Sequence, residues 1–457
     1  MMLRNRLFSR FAVSTVFAGA VFLAAGMNRV PAQQAGKGQE RLLYDEKAYK
    51  SKLPDIKSMF QGDLPADKKT LDLAAQHYVY RLTWTELQSK QGEMPKLVKE
   101  ITSELKTNRA GDRSANEAVQ GFNAALVARL KEVLPNPRPI ASYNAAQVLA
   151  NMAAQGNEEA ADALGDALAD KDMNPATKYV AARGIHDFLM LAFAAEEEQK
   201  VRFKDKEREA RVIKALLTAL DMKPPENPPP SEEEINGVRA LRREIIRALG
   251  ASRYPAVTDA NGALQGKTAY ALARVLRNDG FNPTPRLDEQ VEAAIGLARL
   301  KVSPDPNYKS ANEYQLDVAG HHIGQFLVDL ATRHQNRKAD EKQNPAGKQP
   351  WKTIGARLGV ALGTLSAEAN ILRRNDPNKY KTSYEFVNEL VKVGQPMLKG
   401  IEADATAPAD QLGDVIAKSQ REKEPIYKGD SSSVVKPGAN ALTTEPAKDK
   451  APTEEKK

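Results

Sequence analysis

Gly237-Val-Arg-Ala-Leu-Arg-Arg-Glu-Ile-Ile-Arg-Ala-Leu-Gly250 sets Val238, Leu241, Ile245 and Leu249 at steps of three and four residues. That spacing puts the four side chains on one face of an α-helix. Leu, Ala, Arg and Glu, which fill most of the stretch, are strong helix formers. The same stepping recurs outward in both directions. It runs through Leu71, Ala75, Tyr78 and Leu82, then Ala161, Leu164 and Leu168, then Ala181, Ile185, Phe188 and Ala192. Beyond the quoted stretch it continues in Leu287, Val291, Ala294 and Ala298, in Ile323, Phe326 and Leu330, in Ile354, Leu358 and Leu365, and in Phe386, Leu390, Val393 and Met397. No alternating run is flanked by hairpin turns, so no sheet is required and the fold class is all-α.

Start signals support these helices. Ser114-Ala-Asn-Glu117, Ser231-Glu-Glu-Glu234, Ser310-Ala-Asn-Glu313 and Thr382-Ser-Tyr-Glu385 have the form of capping boxes. Asn174-Pro175 and Thr284-Pro285 set a cap residue before proline at the first helical position. The prolines of 223–230 and the polar residues of 336–350 are expected as gaps between helices.

Composition narrows the function classes. The chain has no cysteine, which excludes disulfides, thiol catalysis, zinc fingers and iron–sulfur clusters. The formal charge is +8, but Arg4, Arg6, Arg10 and Arg29 lie in the first 32 residues with no acid among them. Without those four, 63 basic residues face 59 acidic ones, a balance too even to argue for nucleic acid.

Met1–Arg10 holds three arginines, Phe11–Met27 is an apolar run, and Val30-Pro31-Ala32 offers small residues at a cleavage site. This three-part layout predicts a signal peptide over 1–32 and an exported protein, periplasmic or extracellular; an uncleaved anchor is the alternative. Residues 33–67 read as a polar linker with a short helix near Glu46–Lys52, residues 68–402 as a helical domain, and residues 403–457 as a low-complexity tail. The tail is expected to carry a helix over Ala409–Lys418 and to be disordered from 427, where apolar residues are too scattered to offset ordering entropy.

Asn144-Ala-Ala-Gln-Val-Leu149, Val180-Ala-Ala-Arg-Gly-Ile185, the quoted 237–250 stretch and Val291-Glu-Ala-Ala-Ile-Gly-Leu297 are alanine-rich starts running into aliphatic residues. They resemble the second helices of HEAT repeats. Ala160-Ala-Asp-Ala-Leu-Gly-Asp-Ala-Leu-Ala-Asp170 and Arg211-Val-Ile-Lys-Ala-Leu-Leu-Thr-Ala-Leu-Asp221 resemble the matching first helices. The resemblance covers about residues 138–301 and implies an α-solenoid, an α-α superhelix of HEAT-like helix pairs. Spacing between the later starts is wider than a regular repeat, so another α-solenoid or a helical bundle stays open.

No nucleophile elbow, phosphate loop, dinucleotide loop or metal-ligand set is present. No catalytic residue, cofactor or metal is therefore expected. The function expected is a non-catalytic scaffold for protein–protein interaction, with another envelope or secreted protein as partner, no nucleic acid and no stable membrane span. Arg239, Arg242, Arg243 and Arg247 are the expected contacts, as exposed second-helix cations suited to an acidic partner, with intrahelical pairing to Glu244 as the alternative for Arg243 and Arg247. The alternative is a carbohydrate-active or carbohydrate-binding protein with an α/α-toroid-like cavity. It would use Tyr80, Trp84 and Trp351, although the first two rings also suit packing beneath the N-terminal linker. Of the five histidines, His321 is expected near solvent, His322 on the flank of its helix, and His186 beside an apolar stripe.

Overall fold

The computed structural model describes residues 41–438 apart from 91, 105–112, 195–202, 225–228, 259–263, 303–312, 344–348, 406–408 and 437. The expected signal peptide, Ser310 and the run Glu196-Glu197-Glu198 lie outside the described residues. The chain forms two compact units that divide after Thr268.

The first unit contains α1 (Glu46–Gln61), α2 (Lys68–Tyr80), α3 (Glu93–Glu104), α4 (Arg113–Val133), α5 (Pro139–Ala153), α6 (Glu158–Ala169), α7 (Pro175–Ala194), α8 (Lys206–Leu220) and α9 (Glu232–Ala251). These helices stack in two layers. α4, α6 and α8 are neighbours in one layer; α3, α5, α7 and α9 are neighbours in the other. Consecutive helices α4/α5, α6/α7 and α8/α9 pair across the layers. Small residues set the spacing: Ala145, Ala146, Ala160, Ala161, Ala181 and Ala182 are all fully buried. Close packing of such side chains lets helix axes approach.

Local chemistry explains where the helices begin. Ser231 and Glu234 form the expected capping box, with Glu234 N donating to Ser231 Oγ (3.2 Å) and Ser231 N to Glu234 Oε2 (2.7 Å). Pro175 opens α7 and Asn174 Oδ1 accepts from Ala176 N at 2.8 Å. Three other expected starts are displaced. Ser114 lies inside the first turn of α4, where Arg113 pairs with Glu117 instead. The helix expected after Thr284-Pro285 begins at Leu287, with Glu289 accepting from Arg286 N. The one expected at Thr382 begins at Lys381.

The 33–67 segment is more structured than a linker. Asp45 caps α1, which runs past Pro54 to Gln61 and ends on left-handed Gly62. Tyr49, Ile56 and Met59 are buried where α1 meets α2 and α4, and this burial holds the helix beyond Lys52. A two-stranded ribbon, β1 (Val257–Thr258) and β2 (Leu264–Gly266), lies on α8. A Cβ at Gly266 would meet Val257 Cγ2 at 2.6 Å and Ile213 Cγ2 at 2.7 Å, so only glycine admits this approach.

The second unit contains α10 (Thr268–Arg277), α11 (Leu287–Arg299), α12 (Leu316–Gln343), α13 (Trp351–Asn375), α14 (Lys381–Glu402) and α15 (Asp410–Ser419). α13 and α14 pair along their length, and α12 is contacted by α11, α13, α14 and α15. α12 continues through much of the expected gap at 336–350. α15 matches the expected tail helix within one residue at each end.

The tail does not lose order at 427. Tyr427, Ser433 and Val435 are buried. Gln315 N donates to Ile426 O (2.9 Å), Lys428 N to Glu313 O (2.8 Å) and Gly438 N to Arg277 O (2.9 Å). These bonds strap residues 426–428 to the approach of α12 and Gly438 to the end of α10. The apolar residues of this segment are few, but they converge on a site made by residues more than a hundred positions earlier. Residues 439–457 lie outside the described residues. No described helix is long and apolar enough to cross a membrane.

Candidate functional site

In the first unit, the side chains of α5, α7 and α9 that do not face the other layer form a surface. Tyr143, Gln147, Tyr179 and Arg183 are half-buried on α5 and α7, and Arg239, Arg243 and Arg247 are half-buried on α9. Tyr143 and Tyr179, like Gln147 and Arg183, are separated by the 36 residues that separate Ala145 and Ala181. They therefore occupy equivalent positions on neighbouring helices.

Glu244 is almost fully buried and is a bidentate acceptor for Arg247 Nη1, at 3.1 and 3.2 Å. Arg243 Nε lies 4.0 Å from the same carboxylate. Burial raises the Tyr179 phenol above its ordinary pKa and the Glu244 charge adds to this, whereas Arg243, Arg183 and Arg247 act in the opposite direction. These four charged groups thus share one electrostatic neighbourhood around Tyr179. Asp187, one turn after Arg183 on α7, lies 3.0 Å from His186 Nδ1.

Arg242 departs from expectation. It is 2 % exposed and cannot serve as a surface contact. The packing of α9 against both α7 and α8 encloses a wider arc than the 238–241–245–249 stripe, and position 242 falls within it. Arg239, Arg243 and Arg247 keep partial exposure. Tyr179 and Arg183 belong to the same surface although charge clusters in the sequence do not single them out. Their signal is the 36-residue offset.

The three rings of the carbohydrate reading are each packed among neighbours in their own unit. Tyr80 is buried in the first unit, its hydroxyl donating to Glu132 Oε2 at 2.6 Å and accepting from Arg129 Nη1 at 3.2 Å. Arg129 also clamps Asp72 with two bonds of 2.7 and 2.8 Å. Trp84 is covered by the N-terminal segment. Its indole N–H donates to Leu42 O (3.1 Å), Tyr44 stacks on it at 6.0 Å and the Arg41 guanidinium lies 5.0 Å from its ring. Trp351 belongs to the second unit, 9 % exposed and edge-on to His334 at 5.2 Å.

No protein-family model, curated protein or solved structure matches this chain. The candidate site therefore rests on its own geometry.

The histidines of α12 also differ from expectation. His321 and His322 are 4 % and 1 % exposed, because α14 and α15 pack on the part of α12 that its own sequence leaves to solvent. His321 Nδ1 lies 2.7 Å from Ser419 Oγ. Neither nitrogen of His322 has a hydrogen-bond partner among the described residues. Burial lowers the His322 pKa to about 3, and burial with the Arg277 charge lowers that of His321 to about 4. Among the described residues, no group of three His, Asp or Glu side chains is placed to hold a metal ion.

These shifts have a signed consequence. An unfolded histidine takes up a proton near pH 6.5, whereas the folded pair stays neutral until about pH 4 and pH 3. The unfolded state therefore binds more protons in that window, and stability falls as pH drops from about 6.5 towards 3. His322→Leu should flatten this decline between pH 6.5 and 4. It should also raise stability at pH 7 by about 1–2 kcal/mol, because it removes a buried imidazole without partners. Urea unfolding of the two proteins across this range checks both effects; an unchanged pH profile would show that His322 is not buried as described.

Proposed function

We propose that this protein is an exported, non-catalytic binding scaffold of HEAT-like helix pairs, and that the α5–α7–α9 surface of its first unit receives an acidic protein partner. The observation that carries the reading is the grouping of Arg183, Arg243 and Arg247 about Tyr179, with Arg243 and Arg247 also beside the Glu244 carboxylate, on adjoining helices of one layer. Half-buried guanidinium groups are held partly desolvated, which strengthens their hydrogen bonds to carboxylates. Tyr143 and Tyr179 add amphipathic rings of the type enriched at interfaces. Export is supported by the basic, apolar and small-residue succession of residues 1–32. The absence of any catalytic motif in the sequence favours binding over chemistry.

Charge reversal tests the reading. Binding of a fluorescein-labelled glutamate-rich peptide is followed by anisotropy at low and physiological salt. The double variant Arg183→Glu/Arg243→Glu should weaken binding by at least about tenfold, with unchanged helical circular dichroism. Lys214→Glu, on the exposed face of α8 in the other layer, should leave binding unchanged. Equal losses in both variants would attribute the affinity to net charge and remove the α5–α7–α9 surface as its source.

A further inference from the structure

The second unit contains a cleft of about 220 Å³ between α12 and α15 that the scaffold reading does not use. Its polar lining comes from His321, Gln325, Gln420 and Glu422; Val328, Ile416 and Ala417 supply an apolar wall.

The proton positions follow from the hydrogen bonds. Ser419 Oγ donates its only proton to Ile416 O at 2.7 Å. It must then accept at its 2.7 Å contact with His321 Nδ1, which places the imidazole proton on Nδ1. The ring is neutral at pH 7, and Nε2 is left as an acceptor with no partner among the described residues. Gln325 donates to Asp329, so its carbonyl oxygen is a second acceptor. The half-exposed Glu422 carboxylate is a third. The lining is thus dominated by acceptors and calls for a ligand that donates.

Two kinds of donor are available, a cation and a hydroxyl. Arg277 lies 3.6 Å from Glu422, and Arg277 and Arg421, which depress the His321 pKa, together outweigh Glu422, which raises it. An ammonium ion would meet the same two positive charges, whereas a hydroxyl group would not. The volume is below that of drug-sized pockets and suits a single small ring or short chain. At Gly413 a Cβ would meet nothing within 4 Å, so the cleft stays open above α15 where any larger side chain would fill it. Glycine inside a helix is otherwise unfavourable.

We propose that this cleft binds a small uncharged polyhydroxylated ligand, of the class of a monosaccharide or polyol, through hydroxyl donors to His321 Nε2, Gln325 and Glu422. The site lies in the second unit and is independent of the arginine surface of the first.

Calorimetric titration of the full chain with glucose, N-acetylglucosamine, inositol and glycerol tests it, with ethanolamine as the cationic comparison. Saturable millimolar binding of at least one neutral probe is expected, with a change in the ¹⁵N shift of His321 Nε2 on saturation. Gly413→Leu should abolish that binding while unfolding at the same temperature or higher, since the added side chain meets open space. No saturable binding of any neutral probe, preference for ethanolamine, or binding that survives Gly413→Leu would each overturn the proposal.

Discussion

Replacing Gly184 by alanine should cost the first unit about 2–3 kcal/mol, and replacing it by leucine should abolish its cooperative unfolding. Gly184 lies in α7 where the helix meets α5 and α6. A Cβ there would stand 2.6 Å from Leu164 Cδ1, 2.7 Å from Ala150 Cβ and 2.8 Å from Ala150 Cα. The leucine tip can rotate away, but the alanine backbone cannot, so α5 and α7 must separate. That separation propagates, because each helix of the layer packs on the next. Gly359 of α13 gives the opposite case. Its Cβ would meet nothing within 4 Å, and Gly359→Ala should stabilise by about 0.5–1 kcal/mol through helix propensity alone. Thermal and urea unfolding of both variants measures the contrast. A neutral Gly184→Ala would show that the layers are not packed as closely as described.

Tyr427→Ala should destabilise the second unit by about 3–5 kcal/mol, although the residue lies in a segment whose composition reads as disordered. The Tyr427 ring is fully buried and packs 6.4 Å from that of Tyr314. Its hydroxyl accepts from the backbone N–H groups of Ala269 and Tyr270, satisfying donors in the first turn of α10 that have no partner within the helix. Tyr427→Phe keeps the ring and loses that cap, so a smaller cost of about 1 kcal/mol is expected. Hydrogen exchange at the α10 amides should rise in both variants. Unchanged stability in Tyr427→Ala would remove the strap from the account.

Features set by local sequence were legible. The 3.6-residue stepping located the helices because burial on one face repeats with the helix period, and the Ser231 box and Asn174-Pro175 needed only neighbouring residues. Features set by distant contacts were not. Arg242 is next to the expected stripe, and its burial depends on how much of α9 the adjoining helices cover. The helix period alone points His321 to solvent, whereas α15 and the Ser419 hydroxyl arrive from about a hundred residues later. Trp84 packs beneath residues 41–44, the packing its ring suits in the sequence, but the partners Leu42 and Tyr44 come from the distant fold. The arginines of α9 were visible as a cluster, but Tyr179 and Arg183 join them only when α7 and α9 lie side by side.

Site-specific photo-crosslinking in the cell that makes the protein tests the central claim most directly. A benzoylphenylalanine is placed at Gln147, half-buried on α5 beside the arginine surface, and separately at Lys214 on the other layer. The account predicts a discrete crosslinked protein from position 147 that disappears with Arg183→Glu/Arg243→Glu, and none from position 214. The same product from position 214, or one from position 147 that survives the charge reversal, would contradict it.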